Sequence, residues 1–310
     1  MKHLRKISDL TREEVDKLLE LAGQFKKKHD LGVRREDYLG GKVVALVFEK
    51  PSLRTKIAFE VATTYLGGTP VFLSSSQILA SGNNERGRES IPDIGRNLER
   101  FADLIIARVY SHQTILELSE SISRPVINAL CDRHHPTQAL ADMYVIKTLK
   151  GGSRRKKVAF LGDGNNVATS LLQICALEGV DFSIASPQGY QIPDEEQVVA
   201  QKLAQSSGST LKFSRDPKEA VRGADVVYTD TFVSMGQESE MEVRRSVFHR
   251  YQVNAGILKL AKKDAVFMHC LPAHRGEEVT DDVMDCDQSV VFEQAEARLH
   301  VAKALLTMML

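Results

Sequence analysis

The feature that most constrains the fold is an apolar run at positions 42–48 that leads directly into a helix start. The run, KVVALVF, is typical of a strand buried on both faces of a parallel sheet. Pro51 ends the strand, and Ser52 occupies the position of a helix N-cap. The following residues predict a helix because apolar side chains recur at helical spacing: Ile57, Ala58, Val61, Ala62 and Tyr65.

The same alternation of short apolar runs and helical segments continues through the 310 residues. Further strands are predicted at 70–74, 103–109, 126–130, 158–163, 182–185, 211–214, 226–229 and 265–269. Such alternation favours an α/β fold of two doubly wound domains, each a parallel sheet flanked by helices, with an interdomain cleft. The flexible basic stretch 151–157 marks the boundary. We expect one domain at 1–149, completed by a C-terminal helix at 293–310, and the other at 150–292.

Charge and composition exclude several classes of protein. Lysine plus arginine and aspartate plus glutamate both total 41, so no net field attracts nucleic acid or an anionic membrane. No apolar run approaches the length of a membrane span, and the N-terminus carries acidic residues without an apolar core. The four cysteines lack paired metal-ligand spacing, which suits a reducing compartment. We therefore expect a cytoplasmic protein without a metal.

The helix start at Ser52 carries the first candidate site. A helix N-terminus presents backbone N–H groups and a partial positive charge. Ser52, Arg54 and Thr55 add two hydroxyls and a guanidinium, which favours a site for a phosphate or carboxylate. An ordinary capped helix with solvated cations is the alternative interpretation.

Other candidates follow predicted strands. His135 lies at a helix start with Gln138 on the same helical face, although a capping or core histidine fits as well. The stretch 162–167 (GDGNNV) partly matches a dinucleotide-binding fingerprint but lacks its third glycine. Its place after a strand instead favours a site where Asn165 and Asn166 bind an amino acid's charged groups. Cys270 can be a nucleophile or an inert buried thiol.

Taken in order, these stretches resemble the aspartate/ornithine carbamoyltransferase family over nearly the whole chain. Residues 52–56 (SLRTK) are similar to its phosphate-binding signature, Ser-Thr-Arg-Thr-Arg. The further matching stretches are Arg108 in IARVY, HPTQ at 135–138, GDGNN at 162–166, DTFVSMG at 230–236, HCLP at 269–272 and EAR at 296–298. The Ser-Met-Gly stretch and the cysteine before Leu-Pro resemble the ornithine branch.

The resemblance implies carbamoyl transfer from carbamoyl phosphate to the δ-amine of L-ornithine, without a cofactor, by a homotrimer or a multiple of trimers. It implies that carbamoyl phosphate is bound by Ser52, Leu53, Arg54, Thr55, Arg108, His135, Gln138, Cys270, Leu271 and Arg298. The implied catalytic residues are Arg108, His135, Gln138, Asp230, Cys270 and Arg298. Ornithine would be bound by Asn166, Asp230, Ser234 and Met235.

Three departures from the family pattern keep alternatives open. Leu53 and Lys56 replace a threonine and an arginine, and the loop 77–89 is longer than usual. In this family that loop reaches a neighbouring subunit, which makes Gln77 and Arg88 candidates for such a contact. The alternatives are a carbamoyltransferase for another amine, such as putrescine or an acylated ornithine, and a catalytically weak regulatory relative. A dinucleotide-dependent enzyme is the last alternative.

Overall fold

The computed structural model describes residues 2–74, 89–152, 155–233 and 238–310, which form two compact units. The first unit comprises Met1–Tyr144 and Glu296–Leu310, and the second comprises Val145–Ala295. In both units, most strands are followed by a helix. In chain order, the first elements are α1 (Arg12–Asp30), β1 (Val43–Phe48), α2 (Leu53–Tyr65), β2 (Thr69–Ser74), α3 (Ile91–Leu98), β3 (Leu104–Arg108), α4 (His112–Ser121), β4 (Val126–Leu130) and α5 (Pro136–Leu149).

The remaining elements begin at the end of the predicted boundary stretch, with Lys157 as the first residue of β5. They are β5 (Lys157–Leu161), α6 (Asn166–Glu178), β6 (Asp181–Ala185), α7 (Asp194–Ser207), β7 (Leu211–Ser214), α8 (Pro217–Val221), β8 (Val226–Thr229), α9 (Met241–Phe248), α10 (Ala255–Leu258), β9 (Val266–His269), α11 (Asp281–Met284) and α12 (Val291–Met309). Within the described ranges, no helix combines the length and the apolar character that a membrane span requires.

The sheet of the first unit has four parallel strands in the order β2-β1-β3-β4. Phe48 pairs with Arg108, and Arg108 pairs with Leu130. The carboxyl ends of β1, β3 and β4 are therefore aligned at one edge. That edge is where the Ser52 loop, Arg108 and the HPTQ turn leave the sheet.

Local signals explain where the helices begin. Thr11 and Glu14 form the capping box that starts α1, each side chain accepting a hydrogen bond from the other residue's backbone N–H. Ser52 caps α2 by accepting a hydrogen bond from the Thr55 N–H at 3.3 Å, as the sequence predicts. Buried Ala58, Phe59 and Ala62 form the packed face of α2.

The sheet of the second unit has five parallel strands in the order β7-β6-β5-β8-β9. Strand order reverses between β5 and β8, and open α/β sheets bind ligands at such a switch point. Leu161 pairs with Thr229, and Thr229 pairs with His269. The residues that follow these three strands, at 162–166, 230 and 270, therefore leave the sheet at one edge.

The predicted fold class of parallel sheets flanked by helices is confirmed. The strands at 126–130, 211–214 and 226–229 have the predicted bounds. The C-terminal helix begins two residues earlier than predicted, at Val291. Sequence analysis missed α9, α10 and α11, because helices of only eight, four and four residues are too short to establish a clear apolar period.

Candidate active site

The helix start of α2 lies at the aligned strand ends of the first unit. Ser52, Arg54 and Thr55 occupy the loop and the first turn, with Thr55 buried. The N–H groups of a first helical turn point out of the helix, so this turn offers donors and a positive dipole end to an anion. The interpretation of an anion site is consistent with this geometry.

Arg298 joins this helix start to the HPTQ turn. Its Nη2 donates to the Thr55 Oγ1 at 3.0 Å, and its Nη1 donates to the Gln138 Oε1. The Gln138 Nε2 in turn donates to the Asp142 Oδ1 at 2.8 Å. These groups are buried, so the hydrogen bonds fix the planes of the guanidinium and the amide. Three predicted site residues thus form one connected cluster.

His135 lies just before α5 and is buried. Burial lowers its pKa well below the usual range, and the positive charges of Arg298, Arg108 and Arg54 lower it further. The imidazole is therefore neutral at physiological pH and can donate one hydrogen bond and accept another. A neutral donor suits a carbonyl oxygen, while the guanidiniums supply positive charge.

Arg108 is the last residue of β3 and is also buried. A cavity of about 470 Å³ lies beside the Ser52 loop, with Lys50, Ser52 and Phe72 among its lining residues. Burial and the charge of Arg108 lower the pKa of Lys50, whose Nζ lies 4.4 Å from the Tyr110 ring centroid. Lysine 50 is a cation of this site that sequence analysis missed.

The two departures from the family signature have separate physical accounts. Leu53 is 74% exposed and carries no hydroxyl, while its backbone N–H lies in the first turn of α2. The Lys56 Nζ lies 3.8 Å from the centroid of the Phe72 ring and 3.9 Å from Glu60. Lys56 therefore interacts with a ring and a carboxylate beside the cavity.

The second unit presents acidic and neutral groups where the first presents cations. The Cys270 Sγ donates to the Asp230 Oδ1 at 3.1 Å, and the Asn165 Nδ2 donates to the Asp230 Oδ2 at 2.8 Å. Asn165 also caps α6, because its Oδ1 accepts from the N–H groups of Val167 and Ala168. The structure thus brings Asp230 and Cys270 together. It also shows that Asn165, which the sequence analysis named for binding an amino acid's charged groups, bonds the Asp230 carboxylate.

The 162–166 loop depends on two glycines. Gly162 has φ of 131°, a conformation that favours glycine. A Cβ on Gly164 would lie 2.1 Å from the Ile192 backbone nitrogen, so only glycine permits this approach. The glycines that resemble a dinucleotide fingerprint are therefore required by the loop's own packing. Asn166 begins the helix after them.

His269 supports the turn that carries Cys270 and Leu271. Its Nδ1 accepts from the Leu271 N–H at 2.9 Å, and its Nε2 lies 3.2 Å from the Glu278 Oε1. Asp230, His269 and Cys270 each place a donor atom within 4.8 Å of the others. Both ring nitrogens of His269 already have partners, so metal binding would require breaking one of these interactions. The absence of a metal site stays a prediction.

Four predicted or candidate residues lie outside the described residues: Gln77, Arg88, Ser234 and Met235. Of the other predicted site residues, the first unit brings Thr55, Gln138 and Arg298 into direct contact, and the second brings Asp230 and Cys270 into direct contact. These pairings lie between residues far apart in sequence.

These features define an α/β protein with buried arginines and a buried histidine at the strand ends of one unit, and with acidic and neutral side chains at the strand ends of the other. Two family models match the chain: the carbamoyl-P binding domain of aspartate/ornithine carbamoyltransferase over residues 2–148, and the Asp/Orn binding domain over residues 154–309. The chain belongs to the aspartate/ornithine carbamoyltransferase family.

Curated relatives and solved structures agree with these models. The ornithine carbamoyltransferase of Bacillus subtilis is 46% identical over 306 residues, covering 98% of this chain and 92% of the relative. The anabolic ornithine carbamoyltransferase of Pyrococcus furiosus is 46% identical over 305 residues, covering 98% and 95%. The solved ornithine carbamoyltransferase structure from Pyrococcus furiosus has a TM-score of 0.93 at 45% identity, covering 98% of this chain and 96% of that one. The family resemblance inferred from the motifs is confirmed.

Proposed function

We propose that this chain transfers the carbamoyl group of carbamoyl phosphate to the δ-amine of L-ornithine, giving L-citrulline and phosphate. Full-length similarity to ornithine carbamoyltransferases supports the reaction. Residues 1–149 with 293–310 form the carbamoyl phosphate-binding domain, and 150–292 form the ornithine-binding domain. The observation that carries the proposal is the Thr55–Arg298–Gln138 cluster, in which buried donors converge beside a neutral histidine.

The first unit binds carbamoyl phosphate. Its phosphate is held by the helix start, through Ser52, Arg54, Thr55 and the backbone of Leu53. Arg108, His135, Gln138 and Arg298 bind the carbamoyl group, with Cys270 and Leu271 completing the set. Donors of this kind stabilise the negative charge that develops on the carbonyl oxygen and on the leaving phosphate.

The second unit binds ornithine. Asn166 contacts the α-substituents together with Ser234 and Met235, and Asp230 with Cys270 faces the δ-amine. The Asp230 carboxylate accepts hydrogen bonds from Asn165 and Cys270, so its orientation is fixed before ligand binds.

The reaction needs no covalent enzyme intermediate, because the amine is itself the nucleophile. A lysine-like amine titrates near ~10.4, so deprotonation at pH 7 costs about 5 kcal/mol. Desolvation lowers that cost by disfavouring the charged amine. The neutral amine attacks the carbonyl carbon, the bond from that carbon to the phosphate oxygen breaks, and the amine loses a proton as phosphate leaves.

The biological setting is a further part of the proposal. One relative is named as anabolic, which supports a role in arginine biosynthesis. The four cysteines lack paired metal-ligand spacing, which supports a reducing compartment such as the cytoplasm. We further propose a homotrimer or a multiple of trimers. Leu53, Ile57 and Phe72 are exposed apolar residues on α2 and β2, and such a strip suits a contact between copies. Light scattering coupled to size exclusion tests this, and a monomeric mass would contradict it.

The acceptor panel is the direct test of the reaction. Citrulline formation is measured with ornithine and compared with the products formed from putrescine, N-acetylornithine and aspartate. We expect turnover with ornithine that far exceeds turnover with the other amines. Preference for putrescine or N-acetylornithine would instead support the alternative acceptors. Retained carbamoyl phosphate binding without turnover of any acceptor would support the regulatory relative.

A further inference from the structure

Arg244 on α9 is a buried guanidinium that the proposed chemistry does not use. Only 5% of the residue is exposed. Its Nη1 donates to the Asp163 Oδ2 at 2.7 Å and to the Phe232 carbonyl oxygen at 3.1 Å. Its Nε donates to the Glu240 Oε2 at 2.9 Å. One side chain therefore connects three backbone segments.

Two aromatic rings pack against this guanidinium and restrict its orientation. Its central carbon lies 4.9 Å from the Tyr190 ring centroid and 5.9 Å from that of Phe248. The Phe248 ring also stacks on Phe232, with centroids 5.0 Å apart. A planar fork that donates in several directions and packs against rings is a property of arginine that lysine lacks.

The connected segments are the ones that carry the ornithine-binding residues. Asp163 lies in the 162–166 loop, three residues before Asn166. Phe232 lies two residues after Asp230. Arg244 thus links these two loops by a second route, beside the direct hydrogen bond from Asn165 to Asp230.

Loss of the guanidinium would leave Asp163 as a buried carboxyl without this partner. Burial already raises the pKa of Asp163, and the hydrogen bond from Arg244 opposes that rise. A buried carboxylate that loses its cation becomes protonated or moves toward solvent, and either change displaces the loop.

We propose that Arg244 is a positioning residue for the ornithine site. It bonds Asp163 in the loop before Asn166 and the Phe232 carbonyl in the turn after Asp230, and it thereby fixes Asn166 relative to Asp230. This inference rests on the proposed function. Arg244 does not touch substrate in this account. Its effect falls on ornithine, because carbamoyl phosphate is bound mainly by residues of the first unit.

The test compares Arg244→Lys and Arg244→Gln with Arg245→Gln in the full-length enzyme. Arg245 is the adjacent residue, and its guanidinium pairs with Glu277 at 2.6 Å on the surface. We expect both Arg244 variants to raise the KM for ornithine about tenfold or more, since a misplacement near 1 Å costs up to about 100-fold in rate. The KM for carbamoyl phosphate is expected to stay within about twofold of the wild type, as with Arg245→Gln.

The outcomes separate the inference from the proposed function. Absence of citrulline formation by the wild type would refute the function itself. An active wild type with an unchanged ornithine KM in Arg244→Lys would overturn the positioning role. A merely structural role would lower the active fraction and the melting temperature without separating the two KM values. If Arg244→Gln does not fold, Arg244→Lys and Asp163→Asn test the positioning role instead. Both are expected to raise the KM for ornithine to the same extent, and an unchanged value would overturn the role.

Discussion

The two units share an architecture and differ in the charge they place at their strand ends. In the first unit, Arg54 and Arg108 follow or end strands, and Arg298 joins them from the C-terminal helix. In the second, Asp163, Asp230 and Cys270 follow strands. In both units, the parallel sheet places loop residues together at the carboxyl ends of its strands. The chemistry of those loop residues determines which ligand can bind. Parallel α/β sheets can therefore bind a phosphate or an amine with little change in fold.

The consequences appear in the titrating groups. Burial, and after it the charges of nearby arginines, lower the pKa of His135 and keep it neutral in the first unit, where a charged imidazole would add to three guanidiniums. Burial raises the pKa of Asp163 in the second unit, where Arg244 opposes the rise. In the first unit, the neutral form of His135 avoids a further positive charge. In the second unit, the positive charge of Arg244 balances the negative charge of the Asp163 carboxylate.

The largest expected effect comes from removing a cation of the first unit. Arg54→Ala is expected to lower kcat/KM for carbamoyl phosphate about 1000-fold, because it removes a charged donor at the phosphate. Steady-state kinetics with saturating ornithine measures this. Arg124→Gln is the matched control: Arg124 is an exposed arginine of the same unit, 3.9 Å from Asp103, at the opposite ends of the strands. Equal losses of kcat/KM in both variants would show that the effect comes from removing any positive charge of the unit, and not from removing a ligand of the phosphate.

Removing the acid of the second unit is expected to act on the other substrate. Asp230→Asn should lower kcat/KM for ornithine about 100-fold, because the amide cannot offer the δ-amine a negative charge. The KM for carbamoyl phosphate should change little. Asp264→Asn, on the surface beside Lys150, serves as the control. A loss confined to carbamoyl phosphate would contradict the assignment.

Acid should weaken folding through the first unit. Burial lowers the pKa of His134 to about 3, whereas an unfolded histidine titrates near 6.5. Below pH 6.5 the unfolded chain therefore binds the extra proton, and stability falls as the pH falls. This one residue is expected to cost about 2 kcal/mol between pH 7 and pH 5.

His134→Phe tests this by urea unfolding at both pH values. The variant should lose about 2 kcal/mol less than the wild type over that range. His249→Gln removes an exposed histidine of the second unit and should retain the wild-type dependence. An unchanged dependence in His134→Phe would show that the acid sensitivity arises elsewhere.

The smallest expected effect is a difference in thiol reactivity. Burial raises the pKa of Cys131 to about 11, so its thiol stays protonated at pH 8, while Cys270 and Cys286 are partly exposed. A thiol reagent should modify the latter two first. Carbamoyl phosphate with norvaline, which lacks the δ-amine, should slow modification of Cys270 several-fold and leave Cys286 unchanged. Equal protection of both thiols would point to a global change.

Sequence reasoning succeeded where signals are local. The strand before Pro51 and the Ser52 cap each depend on a few neighbouring residues, and both are confirmed. The bond from Arg298 to Thr55 joins residues 243 apart, so only the family resemblance brought both into one site. The predicted roles of the site residues stay predictions.

The residues that sequence reasoning missed act through tertiary contacts. Arg244 occurs beside Arg245 in a polar segment that is typical of a solvated helix face, yet it is buried between two carboxylates. For Asn165, which the sequence analysis does name as a candidate, only the bond from its Nδ2 to the distant Asp230 was missed. No periodicity or motif spacing distinguishes such residues, because their partners come from other strand ends.

The central claim is that the cations of the first unit bind carbamoyl phosphate independently of the acids of the second. Calorimetric titration with phosphonoacetamide, which carries a phosphonate and an amide but cannot transfer its group, measures this most directly. We expect wild-type affinity in Asp230→Asn and at least about 100-fold weaker binding in Arg54→Ala. Equal weakening in the two variants, or unaltered affinity in Arg54→Ala, would contradict it.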